Sequence, residues 1–103
     1  MNWNESNNAA IIEELGRRVR QYRQKKNLTQ QQLAEYAGIS LFTVAQIERG
    51  KAVSIAMWLP LLRVLRILDN LEMLLPEIAI SPVELLKLKS KKEPKRIRPK
   101  KNN

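Results

Sequence analysis

Thr29-Gln30-Gln31-Gln32-Leu33-Ala34-Glu35-Tyr36-Ala37-Gly38-Ile39-Ser40-Leu41-Phe42-Thr43-Val44-Ala45-Gln46-Ile47-Glu48-Arg49-Gly50-Lys51 is the stretch that decides how this chain folds. Thr29 offers a helix N-cap, and Gln32 three residues on completes a capping-box signature. Leu33, Tyr36 and Ala37 supply an apolar face. Gly38 ends that helix after about two turns, because glycine accepts the positive φ that a tight turn requires. Ser40 caps the next helix, in which Val44 and Ile47 face one way, and Glu48 lies just before the stop at Gly50. Two short helices joined by a three-residue turn containing a glycine have the geometry that presents the second helix to a groove. The plain alternative is a helical hairpin with no binding role.

Upstream, Ile12, Leu15, Val19 and Tyr22 recur at spacings of three, four and three, with charged residues between them, which predicts an amphipathic helix from about Asn8 to Lys26. Downstream, residues 54 to 68 are apolar nearly all round and belong at the centre of a core. Pro60 inside that segment predicts a kink, or a helix that begins near Trp58. Asp69 and Asn70 are placed to cap a short helix from Leu71 to Leu75. Ser81-Pro82-Val83-Glu84 opens a last short helix ending near Leu88. No strand pattern and no internal repeat is visible. The expected organisation is an N-terminal arm over 1–8, an all-α domain over 9–80, and a short helix with a basic flexible tail over 81–103.

The chain has 103 residues, room for one small domain, with nineteen Lys and Arg against ten Asp and Glu. It has no His and no Cys. Zinc sites of the usual kind, thiol nucleophiles, Ser-His triads and disulfides therefore lack a necessary residue, so no enzyme activity and no cofactor or metal is expected. Residues 87–103 hold nine basic side chains and one acid, which leaves residues 1–86 at about +1 of the total +9. The polycationic end reads as an arm on DNA, a segment that folds on a protein partner, or a soluble terminus. No stretch free of charge, Ala52 to Leu62 included, is long enough to span a bilayer, so no membrane partner and a cytoplasmic location are expected.

The quoted stretch resembles the Xre/Cro-type helix-turn-helix family, whose members commonly read "LTQxxLAxxxGIS…I…IExG" here. The resemblance covers residues 11–75 and is carried by six or seven landmarks in register. It implies a five-helix Cro/repressor-like bundle, with a second helix near 30–37 and a recognition helix near 40–48. It also implies binding to double-stranded DNA as a homodimeric regulator, a repressor at a palindromic operator. By the same resemblance Gln30 meets a phosphate, while Ser40, Leu41, Phe42, Thr43 and Gln46 meet phosphate and base edges, with Lys51 counted among the DNA contacts. The resemblance likewise implies a structural ion pair between Arg23 and Glu48. Leu41 and Phe42 depart from the family in being apolar where relatives often carry Gln, Arg or Asn. They suit a thymine methyl but donate no hydrogen bond, so base reading falls to Thr43 and Gln46. Leu41 and Phe42 equally suit a protein contact or the core. The Ser-Pro-x-Glu-Leu-Leu segment and basic end are also similar to antitoxins of HipBA-type modules, which implies a kinase toxin as an alternative partner.

Overall fold

A capping box sets the start of the second helix: the Gln32 amide donates to Thr29 Oγ1 at 3.0 Å, and the Thr29 amide donates to Gln32 Oε1 at 2.9 Å. The computed structural model describes residues 1–92 and, among these, shows only helices and connections. They are α1 (Asn8–Lys25), α2 (Gln30–Ala37), α3 (Leu41–Glu48), α4 (Ile55–Val64), α5 (Leu71–Leu74) and α6 (Pro82–Lys92). Short 3-10 turns cover Trp3–Glu5 and Leu68–Asn70. The chain divides into two compact units, one from Met1 to Leu71 and one from Glu72 onward. The expected basic flexible tail lies outside the described residues from position 93 on.

In the first unit α3 packs against both α1 and α2, and α2 packs against α4. Val19, Leu33, Ala34, Val44, Ile47, Leu61 and Leu65 form the buried core, with Ile39, Val53, Trp58, Leu62, Val64 and Ile67 against it. Each of the larger side chains contributes about 1.5–3 kcal/mol on full burial. Surface ion pairs such as Glu14 with Arg17 are screened by solvent and add little beside this burial, so packing, not surface charge, holds the unit together.

The same device closes four successive helices. Asn27, Gly38, Gly50 and Arg66 all take positive φ, at 59°, 72°, 81° and 64°. The amides of the residues that follow them, Leu28, Ile39, Lys51 and Ile67, reach back to the carbonyls of Arg23, Ala34, Gln46 and Leu62 at 3.0–3.2 Å. These six-residue Schellman bonds satisfy carbonyls that a bare helix end leaves open.

Several expectations need correction. The core-facing stripe of α1 is Gly16, Val19 and Arg23, whereas Leu15 and Tyr22 are exposed. Arg23 is buried because its charge is fully partnered, which hydropathy patterning does not register. Tyr36 is likewise exposed, and Ala34 takes the buried place on α2. The helix containing Pro60 starts at Ile55 rather than near Trp58. Proline there removes a bond only from the carbonyl of Ala56, an exposed residue, so solvent is at hand to replace it. α4 stops at Val64, short of the expected Leu68, because the chain turns left-handed at Arg66. It is not apolar core all round either, since Ile55 and Met57 are exposed. Asp69 and Asn70 form part of a 3-10 turn that runs straight into α5.

In the second unit Ser81 and Glu84 cap α6 reciprocally, each amide donating to the other's side-chain oxygen at 3.2 Å. α6 extends a turn beyond the expected Leu88, to Lys92. No helix breaker occurs before Pro94, and lysines near a helix C-terminus complement its dipole.

Candidate nucleic-acid interface

α3 is short and cannot hold its orientation alone, so the contacts around it matter. Gly38 supplies the left-handed turn from α2, and Ser40 then caps α3 by accepting the Thr43 amide at 3.0 Å. The Ser40 and Thr43 hydroxyls share a further hydrogen bond of 2.8 Å. At the far end, α1 approaches α3 backbone to backbone. A Cβ at Gly16 would lie 2.1 Å from the carbonyl oxygen of Ile47, and one at Gly50 would lie 2.8 Å from the Glu13 Cα. No side chain larger than hydrogen fits at either contact.

A polar clamp completes the mounting. Arg23 donates through Nε to Glu48 Oε2 at 2.7 Å and through Nη2 to Oε1 at 3.0 Å, a bidentate pair. Its Nη1 donates to the carbonyl of Leu28 at 2.8 Å, so one guanidinium ties α1, the α1–α2 turn and α3 together. The side chains are only 11% and 3% exposed. Removing one partner of such a buried pair costs about 3–5 kcal/mol, because the other charge is then stranded. Gln30 Nε2 also donates to Glu48 Oε1, at 3.0 Å, which holds the first residue of α2 against the end of α3.

With Val44 and Ile47 buried, the opposite side of α3 carries Phe42, Ala45, Gln46 and Arg49 at helical spacing. Phe42 is 69% exposed and Leu41 45% exposed. Gln46 accepts from Arg49 Nη1 at 3.0 Å. Lys51 is exposed just past the Gly50 turn. The structure thus brings Phe42 and Gln46 onto one stripe and joins Ser40 to Thr43, while it turns Gln30 toward the Arg23–Glu48 pair. Ala45 and Arg49, which sequence reasoning passed over, belong to the stripe as well. Counting four and seven residues on from Phe42 would have found Gln46 and Arg49 together.

The cations of α1 are partly engaged. Glu14 takes hydrogen bonds from Arg17 Nη2 at 2.6 Å and Arg18 Nε at 2.8 Å, and these lower its pKa to about 2. Arg18 also lies 5.0 Å from the Trp3 ring centroid, a cation–π contact that gives the N-terminal segment its place on α1. Among the described residues no cluster of His, Cys, Asp or Glu is arranged for a metal ion, and no helix is long and apolar enough to cross a membrane.

Residues 19–68, from the last two turns of α1 through α4 to the start of the 3-10 turn beyond it, match a family model described as helix-turn-helix. No curated protein matches the chain.

Proposed function

Since residues 19–68 belong to the Xre/Cro-type helix-turn-helix family of DNA-binding transcription regulators, we propose that this chain is a sequence-specific repressor that lays α3 in the major groove of a palindromic operator and binds as a homodimer. The observation that carries the reading is the outward stripe of Phe42, Ala45, Gln46 and Arg49, exposed at Phe42 and Arg49 and half-buried at Ala45 and Gln46, on a helix whose other side is buried and clamped. A rigidly mounted helix with an open face reads base edges without ordering cost. In this reading Thr43 and Gln46 face base edges with Leu41 and Phe42. Ser40, Gln30, Arg49 and Lys51 lie toward phosphates, Gln30 once it leaves Glu48. The body over 9–80 does the reading and residues 81–103 supply charge.

Dimerisation is assigned to the second unit, where Met73, Leu74, Leu75, Ile78 and Ile80 are exposed, Met73 at 84%. A run of exposed apolar side chains of this kind marks an interface. Two-fold pairing would set neighbouring half-sites about 34 Å apart.

The test is selection of duplexes from a random pool with the full chain, followed by binding at stated salt. Gln46→Ala should cost about 1–3 kcal/mol on the selected site and little on random DNA. Equal losses on both would remove Gln46 from base reading. Sedimentation of a monomer at tens of micromolar would overturn the homodimer and leave the apolar surface to a second protein, the kinase-type toxin of the antitoxin reading.

A further inference from the structure

Hydrogen bonding inside the helical domain already occupies much of what its exposed polar groups would offer a base. The hydroxyls of Ser40 and Thr43 are bonded to each other, and Ser40 Oγ also accepts the Thr43 amide. The carbonyl oxygen of Gln46 is taken by Arg49, and the Gln30 amide nitrogen donates to Glu48. Half-buried Gln46 therefore offers a base its amide donors, and its oxygen only once Arg49 lets go. The uncommitted surface at the start of α3 is apolar: Phe42 at 69% exposure, flanked by Leu41 at 45% and followed one turn on by Ala45.

An aromatic ring held out to water at the leading end of a clamped helix is accounted for by an apolar ligand. The major groove wall offers one apolar group, the methyl on C5 of a pyrimidine. Resting on the DNA-binding reading above, we infer that Phe42, with Leu41 beside it, selects 5-methylpyrimidines at fixed positions of each half-site, so that methyl contact adds to the hydrogen bonding of Gln46 in choosing the operator. Thymine carries this methyl in ordinary DNA and 5-methylcytosine carries it in modified DNA.

The experiment uses the full chain and duplexes recovered by selection from an unmodified random pool. Each thymine is replaced in turn by deoxyuridine, which removes the methyl and keeps the pairing edge. Binding should weaken about fourfold for each contacted methyl, the equivalent of one buried carbon, at one or two positions per half-site. Phe42→Ala should bind thymine and deoxyuridine duplexes equally at those positions, and Phe42→Leu should restore part of the preference. Since Phe42 is exposed, both variants should keep the fold, which a thermal melt verifies. A second selection from a pool with 5-methylated cytosine separates the two sources. Thymine recovered at those positions from both pools assigns the methyl to thymine, and a switch to 5-methylcytosine assigns it to modified DNA. Deoxyuridine tolerated at every position, or an undiminished deoxyuridine penalty in Phe42→Ala, overturns the inference while leaving sequence-specific binding intact. Recovery of no preferred sequence overturns the DNA-binding reading and the inference together.

Discussion

Gly16 is the residue on which the placement of α3 turns. At an ordinary exposed position within a helix, glycine to alanine adds about 1 kcal/mol of stability. Here the added Cβ would sit 2.1 Å from the Ile47 carbonyl oxygen, both on backbones that cannot yield locally, so the sign reverses. Gly16→Ala should cost about 1–3 kcal/mol or more, a fall in Tm on the order of ten degrees for a domain of this size. A melting curve shifted upward would show that α1 and α3 do not meet this closely. Glu14 gives a second prediction, in pH. Its pKa is held at about 2 by hydrogen bonds from Arg17 first and Arg18 second, below the ordinary carboxylate value. The folded state thus favours the ionised form, and the resulting stability is present above the unfolded pKa of about 4.3 and lost as pH falls toward 2. Thermal melts between pH 5 and pH 2 should show a shallower acid-side decline in Glu14→Gln than in the parent chain. Identical declines would exclude this pair as a contributor.

At the scale of the element, Arg66 ends α4 in the left-handed region, where a side chain costs about 1–2 kcal/mol and glycine carries no such penalty. Arg66→Gly should raise stability by about 0.5–1 kcal/mol after allowing for the greater freedom of glycine in the unfolded chain. Arg63→Gly, three residues earlier inside α4, should lower it by about 1 kcal/mol. Chemical denaturation of the two variants checks the opposite signs. The contrast also explains which elements were legible in the sequence. α2 and α3 were readable because Thr29, Gln32, Gly38, Ser40 and Gly50 act locally, each through bonds to its own helix end. The end of α4 was not, since nothing in an arginine signals a positive φ. The buried stripe of α1 was misplaced for a related reason. Arg23 becomes a core residue only through Glu48, twenty-five positions away, and Gly16 matters only through Ile47. The stripe on α3 was largely legible: Phe42 and Gln46 stand out from the motif and helical spacing adds Arg49, whereas nothing local shows that Gln30 is held by Glu48, eighteen positions away.

For the whole molecule the uneven charge is the governing feature. The body to residue 86 carries about +1, and residues beyond α6 add Lys95, Arg96, Arg98, Lys100 and Lys101 against Glu93. A nearly neutral domain gains little from long-range attraction to a polyanion, so its association with DNA draws on cations elsewhere in the chain. Truncation after Lys92 leaves α6 whole and should weaken binding to selected and random duplexes alike, with the salt slope shallower by about 0.9 for each phosphate that the missing cations would neutralise. Titration across a salt series measures the slope. An unchanged slope would show that these cations do not touch phosphates.

The four left-handed helix ends have a consequence in time as well as in shape. An amide within a connection, bonded only to water, exchanges its hydrogen with solvent nearly as fast as an unstructured peptide does. Leu28, Ile39, Lys51 and Ile67 lie two or three residues past the ends of their helices, yet each amide is spent on a carbonyl five residues back. Losing its deuterium there requires the preceding helix end to unwind, so the four should exchange at rates set by opening of α1 to α4 rather than by loop motion. The connections of this domain would then keep the clock of its helices.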